Sequence, residues 1–225
     1  MIALLSGFVA GMGHVFSGPD HLAAVAPLAV ESRRQAWKAG LRWGFGHTGG
    51  VLVVGLLALW LRGMLPVDLI SGWSERLVGV VLIGIGLWGF RTALGKRVHV
   101  HEHQHGGQEH LHIHAHGTES AHAPVEENRP HVHTHTAFAV GTLHGLAGSS
   151  HFLGVLPALA MPTKHQSYIY LGAFGAGTII AMIAFATVIG MMSRGFAGKG
   201  ARAYQGLMYT CSFAALGVGI YWLVW

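Results

Sequence analysis

The stretch GMGHVFSGPDHLAAVAP, residues 11 to 27, sets His14, Asp20 and His21 around a Gly-Pro step in otherwise apolar surroundings. Imidazole and carboxylate move protons, ligate transition metals or tie each other into hydrogen-bond networks. On an unbroken helix His14 and His21 share nearly one stripe, with Asp20 about 120° away. Pro19 changes this, because it lacks an N–H and its ring collides with the carbonyl of Val15. With Gly18 beside it the helix is expected to bend or open, swing Asp20 toward the histidines and turn carbonyl oxygens into a polar cavity.

The cost of such groups depends on the solvent around them. The 225 residues are 52% hydrophobic and 10% charged, too little charge to cover a soluble globule. Apolar runs recur near 1–30, 39–61, 77–94, 137–161, 168–192 and 205–225, each close to the ~20 residues that cross a bilayer as a helix. The expected fold is all-α and polytopic, with six transmembrane helices. No cleaved signal peptide is expected, since no basic residue precedes the first apolar run. Eleven of the 14 Lys and Arg residues fall in or beside the connections after the first, third and fifth runs; Arg62, Arg76 and Lys164 do not. The positive-inside rule then puts both termini outside and the long central loop in the cytoplasm, within an inner-membrane protein. That topology accounts for the net charge of +5, and no nucleic acid is expected as a partner. Cys211 is the single cysteine, which leaves no disulfide framework and no CxxC pair.

Sliding the chain by 130 residues lays residues 11–27 over GTLHGLAGSSHFLGVLP, 141–157. Gly11, His14, Gly18, His21, Val25 and Pro27 meet Gly141, His144, Gly148, His151, Val155 and Pro157. Later, GIGLW at 84–88 resembles GVGIY at 217–221. Each half holds three expected spans, so the second enters the membrane from the opposite side. Such inverted repeats build many secondary transporters, with the substrate held near the midplane at broken helices. The halves expected are 1–94 and 137–225. Between them, residues 95–136 hold twelve of the eighteen histidines, and their composition reads as a disordered cytoplasmic metal sponge or sensor.

An ionised carboxylate at the bilayer centre costs roughly 2.5–3.5 kcal/mol on insertion scales, so Asp20 needs a proton, a partner or a cation. A divalent cation is the economical reading of two imidazoles and a carboxylate, repeated at His144 and His151. A bare Asp–His network that only ties helices together is the plainer alternative. RWGFGHTGG (42–50) adds His47 among glycines that permit close helix approach; the second half has Gly177 at that position and Ser150 in place of Asp20. Nitrogen donors with one oxygen suit Ni²⁺, Co²⁺, Cu²⁺ or Zn²⁺ over Mg²⁺ or Ca²⁺. Imidazole sheds a proton to bind metal, so exchange of H⁺ for metal at His14 and His21 offers a coupling route. GIGLWG at 84–89 matches G-x-G-x-x-G but follows no strand, and no Walker A loop is present, so the chain is not its own ATPase.

The segment HVFSGPDH resembles the HX₄DH motif of the nickel/cobalt transporter family, and GPDHLAAV is most similar to its urease-accessory-type nickel permeases. The His-rich loop is similar to that of the nickel/cobalt efflux branch. The resemblance implies a carrier for Ni²⁺ or Co²⁺, not an enzyme, with metal held by His14, Asp20 and His21. GFGHTGG resembles the family's Gly-His-Ser/Thr element, which extends the role to His47. Five residues rather than four separate His14 from Asp20 here, and six spans stand where uptake members have eight. His144 and His151 are expected to complete the site or form a second one. Uptake of nickel for an enzyme such as urease is the favoured direction, beside efflux of nickel, cobalt or zinc. No resident cofactor is expected; the expected partners are the ion, the lipid bilayer and a cytoplasmic metallochaperone. Two readings of another class stand beside these: a membrane-anchored metal store, and a bis-histidine haem protein.

Overall fold

The structure, a computed structural model, describes the backbone of residues 1–60, 67–95, 97–105, 108–116, 132–147 and 150–224. Side chains are described within 1–57, 76–94, 135–146 and 154–224. The elements in chain order are α1 (Ile2–Ser17), α2 (Pro19–Ser32), α3 (Ala36–Trp60), α4 (Val67–Gly95), β1 (Arg97–His105), β2 (Gln108–His116), α5 (Val132–Ala147), α6 (Ser150–Leu159), α7 (Lys164–Gly198) and α8 (Ala201–Val224).

The first apolar run is broken where the sequence predicts it. α1 stops at Ser17 and the axis turns through 73°. Pro19 then opens α2 at its first position, where the missing N–H would have had no helical acceptor. In the second half, α5 ends at Ala147 and α6 begins at Ser150, so the run 137–161 is divided as well. A 3-10 turn, Arg33–Gln35, reverses the chain from α2 into α3, with Arg33 at φ 45°.

Residues Arg76–Leu94 of α4, together with α7 and α8, are each long and apolar enough to cross a membrane, and the bent first pair adds a fourth candidate. The protein is a multi-pass membrane protein. Leu4, Leu5, Val9, Phe16, Val80, Leu87, Ile180 and Val188 are exposed, as befits helix surfaces solvated by lipid.

Close helix approach depends on glycine, since lipid gives no hydrophobic drive for helices to associate. α1 runs along α7, with Gly7 and Gly11 against the backbone carbonyls of Tyr170 and Phe174. α5 runs along α3, with Gly141 and Gly145 against the carbonyls of Trp43 and His47. α4 lies on α8 through Gly79, Gly86 and Gly219. A Cβ at any of these glycines would strike a neighbouring helix. Within this frame α2 is enclosed: from Asp20 to Val30, all residues except Leu22 are buried.

One expectation is corrected outside the apolar segments. Composition predicts disorder across 95–136, yet within this stretch β1 and β2 pair antiparallel, setting His99 opposite His114, His101 opposite His112 and His103 opposite His110, while 117–131 lie outside the described residues. Histidines alternating with Val98, Val100, Leu111 and Ile113 on either side of Gly106-Gly107 carry the period of two and the turn residues of a hairpin.

Candidate metal site

Four helices meet at the first break. α1 brings His14 in its last turn, α2 brings Asp20 and His21 in its first, α3 brings His47, and α5 brings His144 in its last turn. Asp20, His21, His47 and His144 are buried and His14 is half-buried. His21 is the hub. Its Nδ1–H donates to Asp20 Oδ1 at 2.8 Å, and its Nε2 lies 3.0 Å from Nε2 of His14. His144 Nε2–H donates to the other carboxylate oxygen, Oδ2, at 3.0 Å.

These contacts assign tautomers. An ionised carboxylate accepts and cannot donate, so the ring nitrogens facing Asp20 carry the protons. A neutral His21 protonated at Nδ1 has a bare Nε2, and its lone pair faces His14. A carboxylate behind one imidazole nitrogen commonly fixes the other nitrogen for metal binding. Ligand atoms of His14, His21 and His47 lie within 4.8 Å of one another, as do those of Asp20, His21 and His144. At a metal–nitrogen bond of about 2.0–2.1 Å, two ligands at a right angle stand about 2.9 Å apart and at the tetrahedral angle about 3.4 Å. The His14–His21 separation already falls in that interval. The C-terminal ends of α1 and α5 point their partial negative charges here, set against the partial positive charge of the α2 N-terminus at the same break.

Five of the six residues singled out from sequence are thus brought together. The sixth, His151, lies in α6 outside the residues whose side chains are described. Trp43, one helical turn before His47, was not singled out. Its indole stacks on His47 with centroids 4.7 Å apart and planes at 11°, and its edge meets His21 at 5.5 Å. The signal was present as the i, i+4 pair within RWGFGH. Phe174 from α7 closes the side next to His14 at 5.4 Å. The histidine rings touch one another at 4.5–5.6 Å and leave no slot among them for a porphyrin plane, so a haem does not fit this cluster.

Gly18 lets the two helices meet: a Cβ there would fall into the His21 ring and the Asp20 carboxylate. Gly18→Ala is therefore expected to push His21 and Asp20 out of their contact and to lower the Tm of the detergent-solubilised protein by several degrees, read by circular dichroism.

A helical membrane protein with a buried imidazole–carboxylate cluster at a broken helix is the class that fold and site define. Over residues 2–214 the chain matches the family described as the cytochrome C biogenesis protein transmembrane region, and it belongs to that family. It is 33% identical over 216 residues to the Chloroplast protein FOR GROWTH AND FERTILITY 1 of Arabidopsis thaliana, covering 96% of this chain but 57% of the plant protein. The chain thus spans little more than half of that relative. The urease accessory protein UreH of Bacillus sp. (strain TB-90) is 29% identical over 197 residues, 84% of this chain and 76% of that protein. A protein of Methanocaldococcus jannaschii named for nickel/cobalt efflux is 26% identical over 103 residues, 44% of this chain and 48% of its own. The likeness to urease-accessory-type permeases read from the first motif therefore runs through most of the chain. No solved structure matches it.

Proposed function

We propose that the protein is a secondary carrier that moves Ni²⁺, and Co²⁺ as a second substrate, across the cytoplasmic membrane. The observation that carries this reading is the meeting of His14, His21 and His47 at the α1–α2 break, with Asp20 and His144 behind them. In this reading the ion takes the place of the proton between the His14 and His21 Nε2 atoms, and His47 supplies a third nitrogen. Asp20 then acts from behind, orienting His21 and His144 and offsetting the ion's charge. The name of the Methanocaldococcus relative favours a nickel or cobalt substrate, and the urease-accessory name of the Bacillus relative favours supply to an enzyme, hence uptake.

Alternating access in this carrier rests on two inverted halves, 1–94 and 137–225, joined by a cytoplasmic histidine segment. Paired contacts support the duplication. Gly11 on the Phe174 carbonyl has its counterpart in Gly141 on the Trp43 carbonyl, and Gly177 on the Phe8 carbonyl in Gly46 on the Phe138 carbonyl. In α4 and α8, Gly86 against Ser212 mirrors Gly219 against Gly79. These pairs put α1 and α5 at an offset of 130 but α3 and α7 nearer 131, which makes Thr178, rather than Gly177, the counterpart of His47. The ends of α2, α4 and α7 and the start of α8, with Arg33, Arg91, Arg194 and Arg202, come together, as Arg33 on Tyr204 and Gln205 on the Ala93 carbonyl attest. This supports a cytoplasmic basic face with both termini outside.

The family's description names another process, cytochrome C biogenesis, of which thiol chemistry in the membrane is one reading. A membrane dithiol relay needs two cysteines, and these 225 residues hold Cys211 alone. The carrier reading is tested by radiometal flux in proteoliposomes. Ni²⁺ is expected to enter faster than Zn²⁺ and to respond to an imposed pH gradient; absence of any metal flux would end the reading. Deleting residues 99–135 separates carrier from store. A carrier keeps at least half of its flux without the loop, whereas a store loses most of its bound nickel and never shows flux.

A further inference from the structure

An ion held at the α1–α2 break must pass α2 to reach the basic end, because α2 fills the space between them. α8 presents to it a face formed by Tyr204, Met208, Cys211 and Ser212, all buried. Tyr204, Met208 and Cys211 pack with Ala26 and Val30 of α2, and Ser212 and Pro27 meet at Gly89. This seam is oddly polar for a sealed interface. The Ser212 Oγ and Tyr204 hydroxyls are buried with no hydrogen-bond partner among the described residues, an arrangement that costs stability unless another state satisfies them. Pro27, inside α2, has no N–H to offer the Ala23 carbonyl. At the seam's outer end the Arg33 guanidinium sits 4.5 Å over the Tyr204 ring, at the corner where Arg33 holds its left-handed backbone, and Ser193 Oγ–H donates to the Val30 carbonyl.

We propose that the ion crosses the basic half of the protein along the seam between α2 and α8, past Ser212, Cys211, Met208 and Tyr204, with Arg33 on Tyr204 as its latch. The assignment rests on the carrier reading. Neutral hydroxyl, thiol and thioether groups offer only weak lone-pair donors, so they can pass a dication along without holding it tightly. Opening requires α2 to withdraw from α8, which brings water to the orphaned hydroxyls.

Cys211, as the single cysteine, reports the opening directly. In vesicles of known orientation a cationic, membrane-impermeant methanethiosulfonate is added on the side of the loop that follows α4, and modification is read by mass. The expected result is slow labelling of the wild type, labelling at least threefold faster in Arg33→Ala, and slower labelling in both when Ni²⁺ is present. Labelling of Cys211 in denatured protein confirms that the reagent is competent. Measurable flux with Cys211 inert in native wild type overturns the seam and leaves the carrier reading intact. Labelling indifferent to Ni²⁺ also overturns it, since the gap then opens without carrying the ion. Absence of flux removes the carrier reading and the seam with it.

Discussion

In the proposed carrier, His21→Ala is expected to abolish nickel transport, lowering flux in proteoliposomes at least 100-fold, ~2.8 kcal/mol at about 1.4 kcal/mol per tenfold. The reason lies in its position. His21 belongs to both triads able to hold an ion, and it links the carboxylate to His14. Its loss removes one nitrogen from the cluster and, among the described residues, leaves Asp20 held by His144. A ligand that binds only the folded state raises stability by RT ln(1 + [L]/Kd), about 2.7 kcal/mol at a hundred times Kd. The wild type should therefore show a nickel-dependent rise in Tm in detergent, and the variant should show none. If the variant kept both flux and the Tm rise, the hub would lie elsewhere.

Asp20→Asn is expected to weaken Ni²⁺ binding by a further kind of failure. An amide matches the carboxylate in shape but offers one acceptor and one donor group. One of the two imidazoles must then present a bare nitrogen to it. Where that imidazole is His21, its proton moves to Nε2 and blocks the face toward His14. Changes behind a metal ligand typically cost 10–100-fold in affinity, and lost charge compensation acts in the same direction. The expected loss is within that range by isothermal titration, smaller than for His21→Ala. A loss as complete as that of His21→Ala would make Asp20 a direct ligand, and no loss would deny it the orienting role.

Much of the cluster was legible because its chemistry is expensive. An acid and two histidines inside apolar runs call for a reason, and Gly18-Pro19 marks a helix break by steric rules that operate locally. The internal repeat brought in His144, and the glycines around His47 signalled close packing. Trp43 escaped because a tryptophan in an apolar helix looks like any lipid-facing or core aromatic until its stacking partner is known. The loop shows the converse: histidine content suggested disorder, while the alternation with valine, leucine and isoleucine carried the strand signal. Under the proposed duplication the offset between α3 and α7 is one residue longer than that between α1 and α5, a difference carried by contacts between helices rather than by letters.

By itself the sequence determined the membrane as solvent, the break at Gly18-Pro19 and the identity of the costly groups, since each follows from local sterics or from the free energy of burying charge. Only the tertiary structure decided that both oxygens of Asp20 are taken, one by its neighbour His21 and the other by His144 from 124 positions away. It likewise decided that α2 lies enclosed beside α8. The reason is that helix pairing in lipid is settled by how closely glycine faces let particular backbones approach, and that fit is a property of two surfaces together.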